Sequence, residues 1–183
     1  MRLVLVSVAA FGLAASLAAC NNDPYGLNQV TLATDTAAKI AAPTADSASL
    51  GSAIDITNSN IARFPERSSD AQSWDFALRQ SGSTFYFRPY PGSVSQIGAG
   101  LIGPTSDVYA SADMAPSRTQ YGDTAVVVQP GKTYYVRSRQ FGELGVVCVR
   151  YAKLTPIAVS PVAGTVTLSV TSNVGCNDRR LKE

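Results

Sequence analysis

From about Gly51 onward, apolar and polar residues alternate with a period of two, the pattern of half-buried strands. Trp74, Phe76 and Leu78 fall on one face of such a strand, with Asp75, Ala77 and Arg79 on the other. Phe85 and Phe87 alternate with Tyr86 and Arg88. Tyr134 and Val136 oppose Tyr135, Arg137 and Arg139, and Val166, Leu168 and Val170 alternate with threonine and serine. Turn formers separate these runs: Gln80-Ser81-Gly82-Ser83, Pro89 to Gly92, Gln129-Pro130-Gly131, Phe141-Gly142-Glu143 and Ser160 to Gly164. Long helical patterning is missing from this region and β-branched residues are plentiful. The pattern predicts an all-β domain over residues 50–183, an antiparallel β-sandwich or an open barrel.

Upstream, the pattern changes. Residues 20–49 are dominated by Ala, Thr, Asp and Asn, with apolar bulk limited to Tyr25, Leu27, Val30, Leu32 and Ile40. Such a stretch is thin material for burial and is expected to be a disordered tether, spanning on the order of 30 Å. Two other readings stay open within it: a short helix over Thr36 to Ala42, and an edge strand beginning near Val30 or Leu32.

Residues 1–19 carry Arg2 as their only charge, followed by an uninterrupted run of apolar and small residues from Leu3 to Ala19. That is the composition of a secretory signal and is marginal for a membrane span. Leu17-Ala18-Ala19-Cys20 resembles the box at which bacterial lipoproteins are acylated and cleaved. The resemblance implies a signal peptide over residues 1–19 and lipid on the Cys20 sulfur, with an uncleaved anchor helix as the alternative. Each buried methylene contributes about 0.8 kcal/mol, and two or more chains hold a protein on a membrane far more firmly than one. Asn21, rather than Asp, after the cysteine leans toward the outer membrane of a Gram-negative cell envelope.

Charge excludes one partner class. The chain carries 15 basic and 13 acidic residues, and loss of Arg2 with the signal would leave 14 against 13. Nucleic-acid binding calls for a basic face, and the one tight basic cluster here, Arg179-Arg180-Lys182, reads as a solvated tail. With Cys20 assigned to lipid, Cys148 and Cys176 remain as a pair, and an oxidising compartment favours a disulfide between them. A reactive thiol is the alternative. It lacks an activating histidine, and Val146-Val147-Cys148-Val149 reads as a buried strand.

The chain contains no histidine, which rules out Ser-His-Asp and Cys-His nucleophiles and zinc sets that use imidazole. Lysine-assisted or paired-carboxylate chemistry remains, with Lys39, Lys132, Lys153 and Lys182 the only lysines and Asp75, Asp107, Asp113 and Asp123 the candidate acids. Surface loop aspartates explain the acids more simply. Gly98-Ala99-Gly100-Leu101-Ile102-Gly103 matches a dinucleotide fingerprint, but Pro104 opposes the helix that such a site requires, so it reads as a glycine loop. Tyr86, Tyr90, Tyr109, Tyr121 and Tyr135 fall on polar faces or in loops, where they form either a binding surface or packing. Arg79, Arg88, Arg137, Arg139 and Arg150 lie opposite the apolar set, as a convergent patch or as ordinary solvated residues.

The order of several segments resembles a known family. Trp74-Asp75-Phe76-Ala77-Leu78-Arg79, the Gly/Ser-rich stretch from Gly92 to Gly103, Tyr134-Tyr135-Val136-Arg137-Ser138, Tyr151-Ala152-Lys153-Leu154 and Gly164-Thr165-Val166-Thr167-Leu168 are similar to the HmuY-type haem-binding lipoproteins. The resemblance spans roughly residues 70–171 and implies a lipid-anchored, all-β protein of the bacterial surface that captures haem. Two departures stand out. Arg137 and Tyr151 are further apart than the pattern expects. The histidine or methionine pairs that hold haem iron in that family have no counterpart, since Met114 is the only methionine after the signal. A tyrosine ligand is compatible with haem iron, with Tyr109 or Tyr121 beside Met114 as candidate ligand-binding residues and Arg137 a further one; the alternative is that the motifs preserve only the fold, with Trp74 as core and Arg137 as a strand-face residue. The sequence therefore points to a lipid-anchored binding domain, not an enzyme, with no metal or cofactor of its own. Its partner is an envelope protein, a polymer or a small molecule. Haem binding without histidine is the second reading, and a carboxylate-based hydrolase the third.

Overall fold

In a computed structural model, residues 30–43, 49–92 and 98–182 are described; the signal segment and, of the expected tether, residues 20–29 with Cys20 and 44–48 lie outside them. The described chain is all-β, built on two five-stranded antiparallel sheets. The first runs in the order β1 (Leu32–Ala41), β12 (Thr165–Asn173), β11 (Tyr151–Ser160), β8 (Thr133–Arg137) and β6 (Gly100–Thr105). The second runs β3 (Ile61–Arg63), β2 (Ala53–Asp55), β4 (Phe76–Ser81), β5 (Thr84–Pro89) and β7 (Val126–Val127). A separate hairpin pairs β9 (Phe141–Glu143) with β10 (Val146–Cys148).

One apolar core lies between the sheets and makes the fold sandwich-like. Phe76, Leu78, Phe85 and Phe87 from the second sheet meet Tyr134, Val136, Leu154, Val166, Leu168 and Val170 from the first. These are the period-two positions of the sequence, and each such side chain contributes roughly 1.5–3 kcal/mol by leaving water. Phe87 sits edge-on to both Phe76 and Tyr134, with ring centroids at 5.5 and 5.3 Å. Gly103 permits this packing: its φ is 139° and a Cβ there would lie 2.4 Å from the Tyr134 ring. The glycine segment is thus not a loop but the edge strand β6. Pro104, which cannot donate to a ladder, is tolerated there because β6 ends the sheet.

Three expectations need correction. The domain starts by Leu32 rather than at residue 50, because β1 pairs with β12 from Leu32↔Asn173 to Ala41↔Thr165 and buries Ala38, Ile40 and Ala42 in the core. Of the two readings left open for this stretch, the edge strand near Leu32 is formed and the short helix is not. Pairing covers the polar edge that β12 would otherwise expose, and this outweighs local helix propensity. Trp74 does not share a face with Phe76: it precedes β4 and packs with Ala53 and Ala77 on the outer side of the second sheet, edge-on to Tyr90. Finally, the non-core face of the first sheet is not a solvated surface, since all five residues of β8 are buried.

The longer interval between Arg137 and Tyr151 holds the β9–β10 hairpin. Arg137 and Tyr151 themselves are direct cross-strand partners. The hairpin turns at Leu144-Gly145, both with positive φ (49° and 80°), and Leu144 is 99 % exposed. A leucine in the left-handed region is disfavoured and gains nothing from burial here, whereas Asn-Gly suits such a turn. Leu144→Asn is expected to raise stability by roughly 0.5–1 kcal/mol. A urea midpoint equal to or below the parent's would contradict this.

Candidate functional site

The outer face of the first sheet carries a second layer made by two irregular segments. One runs from β6 to β7, through short 3-10 turns at Tyr109–Ser111 and Arg118–Gln120. The other is the C-terminal segment after β12. They join each other through Ala115 N–H to Arg179 O (2.8 Å), Leu181 N–H to Asp113 O (2.8 Å) and a β-bridge between Met114 and Arg180. Beneath them Ala112, Ala115, Tyr121, Tyr135, Val149, Tyr151 and Leu181 form an apolar cluster on the non-core face of β8 and β11. The disulfide between Cys148 and Cys176 ties the C-terminal segment to the end of β10, at a Cα separation of 5.0 Å.

This layer leaves a cleft of about 380 Å³ over β1, β12 and β11, lined by Leu32, Thr34, Tyr109, Lys153, Thr171, Leu181 and Lys182. A chain of hydroxyls crosses its floor: Thr34 Oγ1 to Thr171 Oγ1 (3.2 Å), Thr171 Oγ1 to Tyr109 OH (2.8 Å), and Ser169 Oγ to Tyr109 OH (3.3 Å). Lys153 reaches this floor from β11. It is 6 % exposed, donates from Nζ to Ala112 O at 3.0 Å and lies 5.1 Å from the Tyr109 ring centroid. Burial pushes its ammonium down from the usual lysine range, opposed by Asp113 and assisted by Lys182. Lys182, by contrast, is exposed and pairs with Asp113 at 3.4 Å.

A second polar cluster has a different character. Arg139, just after β8, donates from Nη1 to Asp75 Oδ1 (2.9 Å) and Asp55 Oδ1 (3.2 Å), and its backbone N–H also reaches Asp75 Oδ1 at 2.9 Å. Asp75 Oδ2 accepts from Ile56 N–H at 2.8 Å, while Arg63 Nη2 holds Asp55 Oδ2 at 3.1 Å. Arg150 Nη1 donates to the Thr57 carbonyl. The cluster thus clamps the end of one sheet to the other. Burial pushes the Asp75 carboxyl up to about 6, with the Arg139 charge opposing. Two carboxylates do converge, but both are already engaged by this chain's own donors. That is the arrangement of a structural clamp rather than of an acid and base facing a substrate.

The residues singled out in the sequence divide among these features. Tyr109 lines the cleft. Tyr121 lies in the buried cluster beside Tyr151, with ring centroids 5.9 Å apart. Arg137 is 1 % exposed and donates to Gly98 O at 3.2 Å, so it belongs to the interior rather than to a surface patch. Met114 is 52 % exposed in its bridge to Arg180. Among the arginines, Arg139 and Arg150 converge with Arg63, on internal carboxylates and carbonyls. Among the tyrosines, Tyr90, Tyr121 and Tyr135 serve packing. Asp107 accepts from Tyr135 OH at 2.8 Å, and Asp113 pairs with Lys182.

Tyr109, Tyr121 and Met114 are not brought together in one site. The Tyr109 hydroxyl is bonded to Thr171 and Ser169. Burial first, and neighbouring Tyr151 next, push the Tyr121 hydroxyl far above the ordinary phenol range. Met114 takes part in neither the cleft nor the buried cluster. Among the described residues, no group of three or more Cys, Asp and Glu side chains is placed to hold a metal ion.

The sequence named Lys153 only among the lysines left for assisted chemistry, and it marked neither a binding role for it nor the hydroxyls of Thr34, Thr171 and Ser169. The signal was present in Tyr151-Ala152-Lys153-Leu154, where Tyr151 and Lys153 share the face opposite the core residues Ala152 and Leu154. What the alternation did not reveal is that this second face is covered. Comparisons with protein-family models, characterised proteins and solved structures give no match to this chain.

Proposed function

We propose that this chain is a lipid-anchored protein of the bacterial cell envelope whose β-domain captures a small ligand without transforming it. The cleft over β1, β12 and β11 carries the ligand-binding half of this reading. The layer formed by residues 106–125 and 174–182 covers most of one sheet face yet leaves an opening of about 380 Å³, floored by hydroxyls and a buried lysine. That is the small end of the range for ligand sites, about 300–1,000 Å³. A non-catalytic role is supported by the engagement of Asp55 and Asp75 in the clamp and by the absence of histidine from the sequence.

The anchor rests on Arg2, the apolar run Leu3 to Ala19, and Cys20 at the end of its box. With β1 beginning at Leu32, eleven residues, 21–31, separate Cys20 from the first strand. The domain would then sit close to the lipid surface. Expressed at full length in a Gram-negative host, the parent chain is expected in the membrane fraction with an acyl modification on its N-terminal peptide. The Cys20→Ser chain is expected to lose the modification and leave the outer membrane. An unmodified parent peptide, or a Cys20→Ser chain that still fractionates with the outer membrane, would defeat the anchor.

A further inference from the structure

We infer that the cleft recognises a small hydroxylated carboxylate, of the size and class of a sugar acid, with Lys153 as the counter-charge to its carboxylate. This rests on the cleft being the ligand site. The buried lysine is the reason to look for an anion: the residue is 6 % exposed, yet among the described residues its only hydrogen-bond partner is the Ala112 carbonyl, its ammonium otherwise faces the Tyr109 ring, and no carboxylate pairs with it. A cation in that position is poorly compensated, and an anion entering the cleft would complete it. Asp113, the acid that the described residues place nearby, is already paired with Lys182 at the rim.

Charge selects the class of anion. Among the described residues, Lys153 and Lys182 against Asp113 leave a single net positive charge, which matches a monoanionic carboxylate better than a phosphate dianion. A lone ammonium also acts as a point charge rather than the fork that suits bidentate recognition. The rest of the ligand faces Thr34, Thr171 and Tyr109. Each hydroxyl in this chain donates one hydrogen and keeps acceptor capacity, so the floor can both give hydrogen bonds to and take them from a hydroxylated body. Leu32 and Leu181 supply apolar contact for the carbon skeleton at the sides. Lys153 is thus a binding residue and Lys182 a rim residue.

The test is calorimetric titration of the full-length protein with D-glucuronate, D-glucose and inorganic phosphate at constant ionic strength. Glucuronate is expected to saturate, at least tenfold tighter than glucose and tighter than phosphate. Lys153→Met, which keeps the aliphatic stem, is expected to weaken glucuronate at least tenfold, and Lys182→Met two- to threefold. Because a change at a buried side chain can disturb folding, Thr34→Phe, at the exposed end of the hydroxyl chain, is the second variant. It leaves Lys153 untouched and should abolish binding by filling the cleft. Glucose binding as tightly as glucuronate, with both lost in Thr34→Phe, would overturn the carboxylate assignment while keeping the cleft as the ligand site. Tighter binding of phosphate, or no saturation by glucuronate, would likewise overturn it. Glucuronate binding that survives Thr34→Phe would remove the cleft itself from consideration.

Discussion

Replacing Arg139 with methionine is expected to destabilise the fold by about 3–5 kcal/mol, the usual consequence of taking one partner from a buried ion cluster. Asp75 is fully buried and Asp55 is 2 % exposed, and the Arg139 guanidinium bonds both. Its removal leaves two carboxylates facing each other with Arg63 as the remaining cation, on Asp55 alone. Removing Asp75 and Arg139 together should cost much less than the sum of the single changes, because neither partner is then left charged and alone. Urea unfolding of the two single variants and the double variant closes this cycle. Additive losses would show that the cluster is not a clamp.

The same cluster fixes the pH dependence. Asp75 titrates at about 6 in the folded chain, above its ordinary value of 3.8, because burial penalises the carboxylate. The folded state therefore binds a proton between pH 6 and 4 that the unfolded chain does not. The contribution of this group rises as pH falls through 6, is complete below about 4, and is lost again toward neutrality. Its size is on the order of 2–3 kcal/mol. In the Arg139→Met chain the opposing positive charge is gone, so the carboxyl shifts further up and the variant recovers part of its loss at pH 5. A variant equally destabilised at pH 5 and pH 8 would contradict this account.

How much of this was legible beforehand depends on which face of each strand is considered. Phe76, Leu78, Phe85, Phe87, Tyr134, Val136, Val166, Leu168 and Val170 announced the inner face by simple alternation, and all of them are in the core. The Cys148–Cys176 pair was legible by elimination. The opposite face misled, since Tyr135, Arg137, Tyr151 and Lys153 look like solvated residues and are buried under a layer with no regular pattern of its own. Residues 106–125 and 174–182 make that layer through individual backbone bonds and single anchors such as Leu181, which period counting does not detect. Trp74 was misplaced for a related reason: β4 begins at Phe76, so counting back by two crossed the end of the strand. Strand β1 was legible only as one of two open readings, an edge strand near Leu32, because Ala-rich sequence carries little strand signal until a partner edge is supplied. The cleft lies where these hidden elements meet, so its sequence signature was limited to Tyr109 and Lys153.

Removal of the disulfide should act on that meeting point as well as on global stability. Closing a 28-residue separation restricts the unfolded chain by roughly 3–4 kcal/mol in the loop-entropy account. Cys148 is 1 % exposed, so alanine is the suitable replacement there, because serine would bury an extra hydroxyl. In Cys148→Ala/Cys176→Ala the C-terminal segment keeps Asn177 N–H to Val149 O at 2.9 Å, Arg179 Nη2 to Ala115 O at 2.7 Å and the buried Leu181. It should therefore stay docked on average but open locally well before the sandwich unfolds. Hydrogen exchange is expected to quicken at Asn177 and Leu181, while Val136 and Leu168 in the core change only by the global loss. Since Leu181 and Lys182 form one side of the cleft, any ligand held there should dissociate faster from the variant, with a smaller effect on association. Equal exchange protection of 174–182 in the parent and the variant would show that the hydrogen bonds alone hold this wall, and that the disulfide serves only the unfolded chain.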